Sequence, residues 1–478
     1  MQSKEKIFKV MAVLLFGGFM ALLNETITNV ALPKLMEEFN ISAQTVQWLS
    51  TGYLLVIGIL VPVTAFLIQR FTLKQLYIVA MSLFLLGTII AATAPSFTIL
   101  LLGRLIQASG TGMFVPIMMN TIVVINPPEK RGSAVGLGLF VILFAPSIAP
   151  TLSGIIIQKL SWRYLFIMEI PLAILAIILG YRYLEKVTEI TKPKIDVISI
   201  ILSTLGFGGI IVGFSTLGNN NFSKTLVFFL IGILVLILFS LRQFRLKEPM
   251  LDLRVFKSST YGLGVIFVMV SMMTLFETLV VMPMYLEGLY YMSPFQVGLA
   301  ILPAGLINAF VSIITGHLYD KFGAKKLVPF GFMILTISFY LLSRVNINTS
   351  YIEVIILLCI LNIGMPLVMT SSQTNSLNQL KPIQYPHGTA VINTLQQIAA
   401  AMGSSLFVSL MTTKKNNYLD GIQGVINLND NAMALVHGFN YAFFIAAVLL
   451  LIGFFASFLL KDKNEKDKGE SLELLAKN

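Results

Sequence analysis

The sequence predicts an all-α integral membrane protein of fourteen transmembrane helices, two six-helix bundles with two additional helices between them. Composition, the spacing of apolar stretches and an internal repeat carry this reading. Of 478 residues, 56% are hydrophobic and only 12% charged, with a mean hydropathy of +0.85, whereas a soluble chain is about 25% charged. That balance excludes a soluble enzyme. The net charge of +11 would suggest an acidic partner such as nucleic acid in a soluble protein, but here the charges must first be placed. The single cysteine, Cys359, cannot form an internal disulfide, and no Cys/His cluster has metal-ligand spacing. No metal, cofactor or nucleic-acid partner is implied, and without a GxxxxGK[ST] sequence ATP-driven transport is disfavoured.

A hydrocarbon core about 30 Å thick takes roughly 20 apolar residues per helix. Such stretches, broken by polar or Gly/Pro turns, occur at 8–33, 46–69, 75–93, 97–124, 133–157, 164–184, 196–217, 225–241, 260–286, 294–319, 327–345, 352–375, 388–412 and 438–460. The first follows Lys4, Lys6 and Lys9 like a signal peptide, but it has no small-residue cleavage site and thirteen spans follow, so it reads as an uncleaved helix. With the N-terminus inside, 25 of the 33 basic residues fall on the inner side, 7 fall outside, and Arg104 lies within a span. By the positive-inside rule this places both termini in the cytoplasm of a multi-pass plasma-membrane protein. The +11 is therefore mostly topology. Segment 413–437 reads as the longest external loop, and the charged tail 461–478 as disordered.

Two short matches share nearly one offset. Glu25-Thr26-Ile27 before Pro33 matches Glu277-Thr278-Leu279 before Pro283, a shift of 252; Leu67, Arg70, Phe71 and Lys74 match Leu318, Lys321, Phe322 and Lys325, a shift of 251. Repeated halves are a common transporter plan. The chain thus divides into a six-helix bundle at 1–190, two linker helices at 191–257, a second bundle at 258–460 and a tail at 461–478. A substrate route would run between bundles that rock in alternating access.

With these pieces in place, the motifs resemble those of the major facilitator superfamily and, within it, the fourteen-helix drug:proton antiporter branch. Leu23 to Pro33 resembles the branch's first-helix signature, with Asn24 where the usual acid stands and Glu25 one residue later. Gly316-His317-Leu318-Tyr319-Asp320-Lys321-Phe322-Gly323-Ala324-Lys325-Lys326 is similar throughout to the superfamily's loop motif, whereas its first-half counterpart, Ala65 to Lys74, carries Gln69 in place of the acid. Arg104 to Gln107 with Gly110 and Gly112 resembles the fourth-helix motif. Pro146, Pro150 and Gly154 resemble the fifth-helix antiporter motif, and Trp162-Arg163 follows as in the branch. The resemblance implies no enzyme but a proton-coupled multidrug efflux antiporter exporting amphipathic, often cationic, compounds, and a monomer. It implies a conformational latch at Gly316, Asp320, Lys321, Gly323 and Lys325, asymmetric because the first copy lacks its acid. An exporter or flippase of one lipid, metabolite or peptide, and a non-transporting sensor or scaffold, are the competing readings.

Among 22 acids, Glu25, Glu169 and Glu277 alone lie well inside spans. Ionisable groups in hydrocarbon are costly and usually mark an ion route, and desolvation disfavours the charged form of a carboxyl, which opens proton exchange. Proton coupling is accordingly assigned to Glu25, Glu277, Arg104 and Glu169, with Glu25 as Arg104's natural partner and Gln107 one turn on. Glu169, where the branch more often has Asn, lies nearer the outer surface. Substrate contacts are expected from Glu25, Asn29, Gln107, Phe140, Phe144, Met273, Phe276 and Glu277, adaptable Met and aromatic faces suiting varied ligands. His317, His387 and His437 are expected in solvated positions beside loops.

Overall fold

In hydrocarbon every backbone polar group must pair internally, and the described chain obeys this by being helical wherever it is regular. The structure, a computed structural model, describes residues 4–46, 48–184, 196–215, 222–246, 249–422 and 427–462. Its long helices are α1 (Lys4–Ile27), α2 (Trp48–Arg70), α3 (Leu73–Ala92), α4 (Phe97–Ile125), α5 (Arg131–Lys159), α6 (Arg163–Tyr183), α7 (Val197–Ser215), α8 (Phe222–Arg245), α9 (Ser259–Tyr290), α10 (Pro294–Phe322), α11 (Ala324–Leu342), α12 (Tyr351–Asn378), α13 (Tyr385–Asp420) and α14 (Leu428–Ser457). Thirteen are long and apolar enough to cross a membrane, and the shorter apolar run Val197–Gly213 within α7 is the fourteenth.

Several expectations need correction. The first span is not one helix to residue 33: α1 stops at Ile27, a 3-10 turn covers Thr28–Ala31, and a separate helix, Leu32–Phe39, follows. Glu25 therefore sits beside a break in the helix, a place where such turns often mark hinges. The helix α6 is likewise broken at Met168, between Arg163–Ile167 and Glu169–Tyr183. Pro171, which has no N–H to donate, is tolerated in the first turn of the second piece. Segment 413–437 is no long loop, since α13 runs on to Asp420 and α14 begins at Leu428. At the tail, Lys461 accepts a hydrogen bond from Asn375 and Asp462 caps α11 by accepting from Ala324 N–H at 2.8 Å; 463–478 lie outside the described residues. His387 is buried in the first turn of α13, where Nδ1 accepts the Asp252 N–H at 3.1 Å and so leaves the ring proton on Nε2.

Helices α1–α6 pack among themselves, as do α9–α14, and α5 lies along α10 to join the two groups. On the face carrying both termini the two groups close against each other. One apolar core there runs from Val10, Phe66 and Val135 into Tyr261, Leu377 and Ile392. Close approach needs glycine: a Cβ on Gly132 would lie 2.5 Å from the Gly316 carbonyl, and one on Gly136 2.5 Å from that of Ser312. The antiporter-motif face of α5 also meets α10, with Pro150 against Gly298 and Gly154 against Phe295.

Helix α7 packs on both α2 and α13, so the additional pair lies across the second junction between the two groups. Its root is polar. Asp196 receives a two-point pair from Arg242 at 2.9 Å and 2.9 Å and caps α7 through Ser199. The Arg242 hydrogen bonds hold the Asp196 carboxyl down at about 2. A depressed carboxyl stabilises the fold fully above its unfolded value, about 4, and loses that contribution as pH falls through about 2. Asp196→Ala should therefore lower the melting temperature of detergent-purified protein at neutral pH. The gap from wild type should narrow as pH drops from about 4 toward 2; a gap constant with pH would remove the pair from the account.

Candidate functional site

The polar centre of the first six helices is built around Arg104 on α4. Its side chain has no solvent exposure and its guanidinium is a donor with no acceptor, so every neighbour must be oriented to receive it. Nη1 donates to the Asn24 backbone carbonyl at 3.2 Å, to Asn24 Oδ1 in a short hydrogen bond, and to Gln107 Oε1 at 3.1 Å. Gln107 then turns its amide NH2 to Thr88 Oγ1 at 2.7 Å, and Thr88 donates to the Phe84 carbonyl. Above the guanidinium lies the Tyr53 ring, with Cζ 4.0 Å from its centroid, and Tyr53 hydroxyl pairs with Thr111 at 2.7 Å. Four helices, α1 to α4, thus contribute to holding one cation in the membrane.

The expected partner does not make that hydrogen bond. Successive helical residues point about 100° apart, and it is Asn24, next to Glu25, that faces Arg104. Glu25 is half-buried and within electrostatic reach of the guanidinium, with no hydrogen bond to another described side chain. Glu169, placed by the break in α6, is 1% exposed and accepts from Asn24 Nδ2 at 2.5 Å. A carboxylate and a guanidinium are therefore joined through one neutral amide. Gln107, expected against substrate, is instead enclosed in this network at 0% exposure.

Glu277 on α9 is the repeat counterpart of Glu25 but sits differently. It is 0% exposed, and neither carboxylate oxygen has a hydrogen-bond partner among the described residues. Met273 and Phe276 beside it are half-buried. Phe140 and Phe144 of α5 stack at 5.0 Å, Phe19 of α1 approaches Phe144 at 6.2 Å, and Phe310 of α10 closes on Phe140 at 5.4 Å. This aromatic cluster spans the two helix groups and offers the polarizable faces that aromatic and cationic groups favour. The Asn29 side chain lies outside the described ones.

On the terminus-bearing face, Asp320 of α10 reaches the start of α5. Its Oδ1 accepts Gly132 N–H at 2.8 Å; its Oδ2 accepts Ser133 N–H at 2.8 Å and a short hydrogen bond from Ser133 hydroxyl. A helix start presents unpaired N–H groups and a partial positive charge, and Lys130, at its own N-cap, supplies no side-chain cap. Arg131 crosses the other way to Asn378 Oδ1 at 3.1 Å and Tyr385 hydroxyl at 2.7 Å. Gln69, at the first-half position, donates only to Ala65 of its own helix among the described residues. Lys321 and Lys325 are exposed and pair with no carboxylate among the described residues. Gly323, with φ +75°, makes the turn that lets α10 end and α11 begin.

Sequence reasoning missed Asn24 as the bridge, because a neutral residue beside an acid draws less attention, and it missed Tyr53 and Phe310, which nothing in the spacing marks. One overlooked signal was readable: Thr370 to Ser376 on α12 are seven consecutive polar residues in a span, every one buried.

The family model of the Major Facilitator Superfamily matches residues 14–404. The chain belongs to this superfamily. Among its major facilitator relatives, the lincomycin resistance protein LmrB of Bacillus subtilis is 45% identical over 95% of this chain and 96% of that protein. The protein of the same name from Listeria innocua is 41% identical over 95% and 96%. Solved major facilitator structures superpose along nearly the whole chain. They include the human organic anion transporter MFSD10, with TM-score 0.65 and 14% identity over 94% of this chain and 99% of that one. The proton:xylose symporter XylE gives 0.64 and 17% over 96% of each. At these identities the structures share the fold.

Proposed function

We propose that this chain is a proton-coupled exporter of amphipathic, often cationic, organic compounds, lincosamide-type antibiotics among them, working by alternating access as a monomer in a bacterial plasma membrane with both termini cytoplasmic. The observation that carries the reading is the set of membrane-embedded ionisable groups: Glu25 and Glu277 at repeat-equivalent positions, and Arg104 with Glu169 in one buried network. Ionisable side chains kept at that cost in hydrocarbon belong to ion pathways. The LmrB relatives, named for lincomycin resistance, supply the substrate class.

In this mechanism substrate enters from the cytoplasmic side, where deprotonated Glu25 and Glu277 favour it, and the Phe140, Phe144, Met273 and Phe276 faces accommodate its apolar part. The groups α1–α6 and α9–α14 then rock about the α5–α10 contact, and closure is held by Asp320 on the start of α5. Protonation from outside weakens the electrostatic hold, releases substrate and permits the return. Each pH unit supplies about 1.4 kcal/mol per proton, and 100 mV about 2.3 kcal/mol per charge, so one or two protons support substantial accumulation. The test is transport of lincomycin and of a lipophilic cation in proteoliposomes. An imposed pH gradient should accelerate flux of at least one, and gradient-independent binding without flux of either would favour a sensor.

A further inference from the structure

We propose that Asn24 is a positioning residue that holds Glu169 with one oxygen committed as an acceptor, so that the proton this acid exchanges is carried on the other oxygen, Oε1. The inference rests on the proton-coupled reading and adds to it a defined atom and a residue with no charge of its own. Arg104 can only donate, so the Asn24 atom facing it must be the amide oxygen. The amide nitrogen is then turned to Glu169 Oε2 at 2.5 Å and must donate, which obliges Oε2 to accept. Hydrogen-bond logic, and not an arbitrary choice of amide orientation, settles this. The remaining oxygen, Glu169 Oε1, is buried with no hydrogen-bond partner among the described residues, and so are Arg104 Nε and Nη2.

A proton arriving at Oε1 forms one O–H bond and converts the carboxylate to the neutral acid. No other bond in the network changes: Asn24 still donates to Oε2 and still receives Arg104. The electrostatic balance does change, because the negative charge linked to Arg104 through one amide is removed. The other charged or titratable groups facing this acid come from α1, α2 and α4, namely Glu25, Tyr53 and Arg104. Helices α3 and α5 present only Lys74, Tyr77, Arg131 and Lys159, which lie away from this site toward the ends of their helices.

The experiment is a pH titration of purified full-length protein by infrared difference spectroscopy. The protonated-carboxyl band of Glu169 is identified by its loss in Glu169→Gln. In Asn24→Leu the acid should bind its proton about tenfold more tightly, since the amide that steadies the ionised form is gone. A folded Asn24→Leu protein with an unmoved midpoint would overturn the proposal. Because Asn24→Leu can also fail to fold, the exchanged pair Asn24→Asp with Glu169→Gln provides the second arm. Each single change should reduce pH-gradient-driven transport at least tenfold, and the double change should not recover it, because the introduced carboxylate faces Arg104 with one oxygen and the introduced amide with the other, and Oε1 is gone. A folded double variant that transports within about threefold of wild type counts against the proposal. If wild type shows no gradient-driven flux while the infrared midpoint still follows Asn24, the transport reading fails and the assignment of the proton stands.

Discussion

Glu277→Gln is expected to abolish pH-gradient-driven accumulation of substrate while leaving counterflow of a neutral substrate largely intact. Glutamine has the shape and neutrality of the protonated acid and no proton to release. An ionised carboxylate enclosed without donors costs several kcal/mol, and Glu277 has no donor on either oxygen among the described residues and no exposure. Gain or loss of its proton is thereby tied to whether water reaches the site, which is the property a coupling residue needs. Locked neutral, the carrier should still exchange one neutral substrate molecule for another, because that cycle requires no net proton movement and no electrostatic hold. At a gradient of one pH unit, one coupled proton supports about tenfold accumulation, so the predicted loss is readable in proteoliposomes as a fall from roughly that ratio to equality. Wild-type accumulation by a well-folded Glu277→Gln protein would remove this residue from the coupling step. Glu25→Gln, half-buried and close to Arg104, should impair accumulation as well and should in addition weaken cationic substrates more than neutral ones.

What could be read from the sequence was what hydrocarbon imposes. Length and apolarity gave the fourteen crossings, because a backbone in lipid has few alternatives to the helix, and position inside a span picked out Arg104, Glu25, Glu169 and Glu277, of which Glu25 alone is half-buried and the other three are buried. What could not be read depended on angles about helix axes. Whether Asn24 or Glu25 meets Arg104 is a matter of 100° of rotation, and the span pattern is silent on it. The break after Ile27 and the one at Met168 interrupt apolar runs without changing their hydropathy, so the hydropathy pattern runs on through both. Likewise the 413–437 segment is polar enough to resemble a loop, yet α13 extends through Lys414 and Lys415 to Asp420.

Asp320→Ala is expected to open the terminus-bearing face and to depress transport strongly, whereas Gln69→Ala should change little. Asp320 supplies acceptors for two N–H groups and one hydroxyl at the start of α5, all across the junction between the two helix groups. Hydrogen bonds to a charged group contribute about 1.5–3 kcal/mol each at most, and loss of an N-cap alone costs about 0.5–2 kcal/mol. A net penalty of about 2 kcal/mol on the closed arrangement corresponds to roughly a 30-fold shift toward the open one. Arg131, with its bonds to Asn378 and Tyr385, limits the shift by holding a second link across the same face, so combining Asp320→Ala with Tyr385→Phe should open it further. A reporter cysteine at Thr315, buried on α10 beside the crossing, introduced with Cys359→Ala, makes this measurable by maleimide labelling of detergent-purified protein. Labelling should rise at least tenfold in Asp320→Ala and stay near background in Gln69→Ala, whose side chain donates to Ala65 within α2. Equal labelling in the two variants would mean that the closed face is held by the apolar core and the glycine crossing alone, and that the carboxylate on the start of α5 is a topological marker with no latching role.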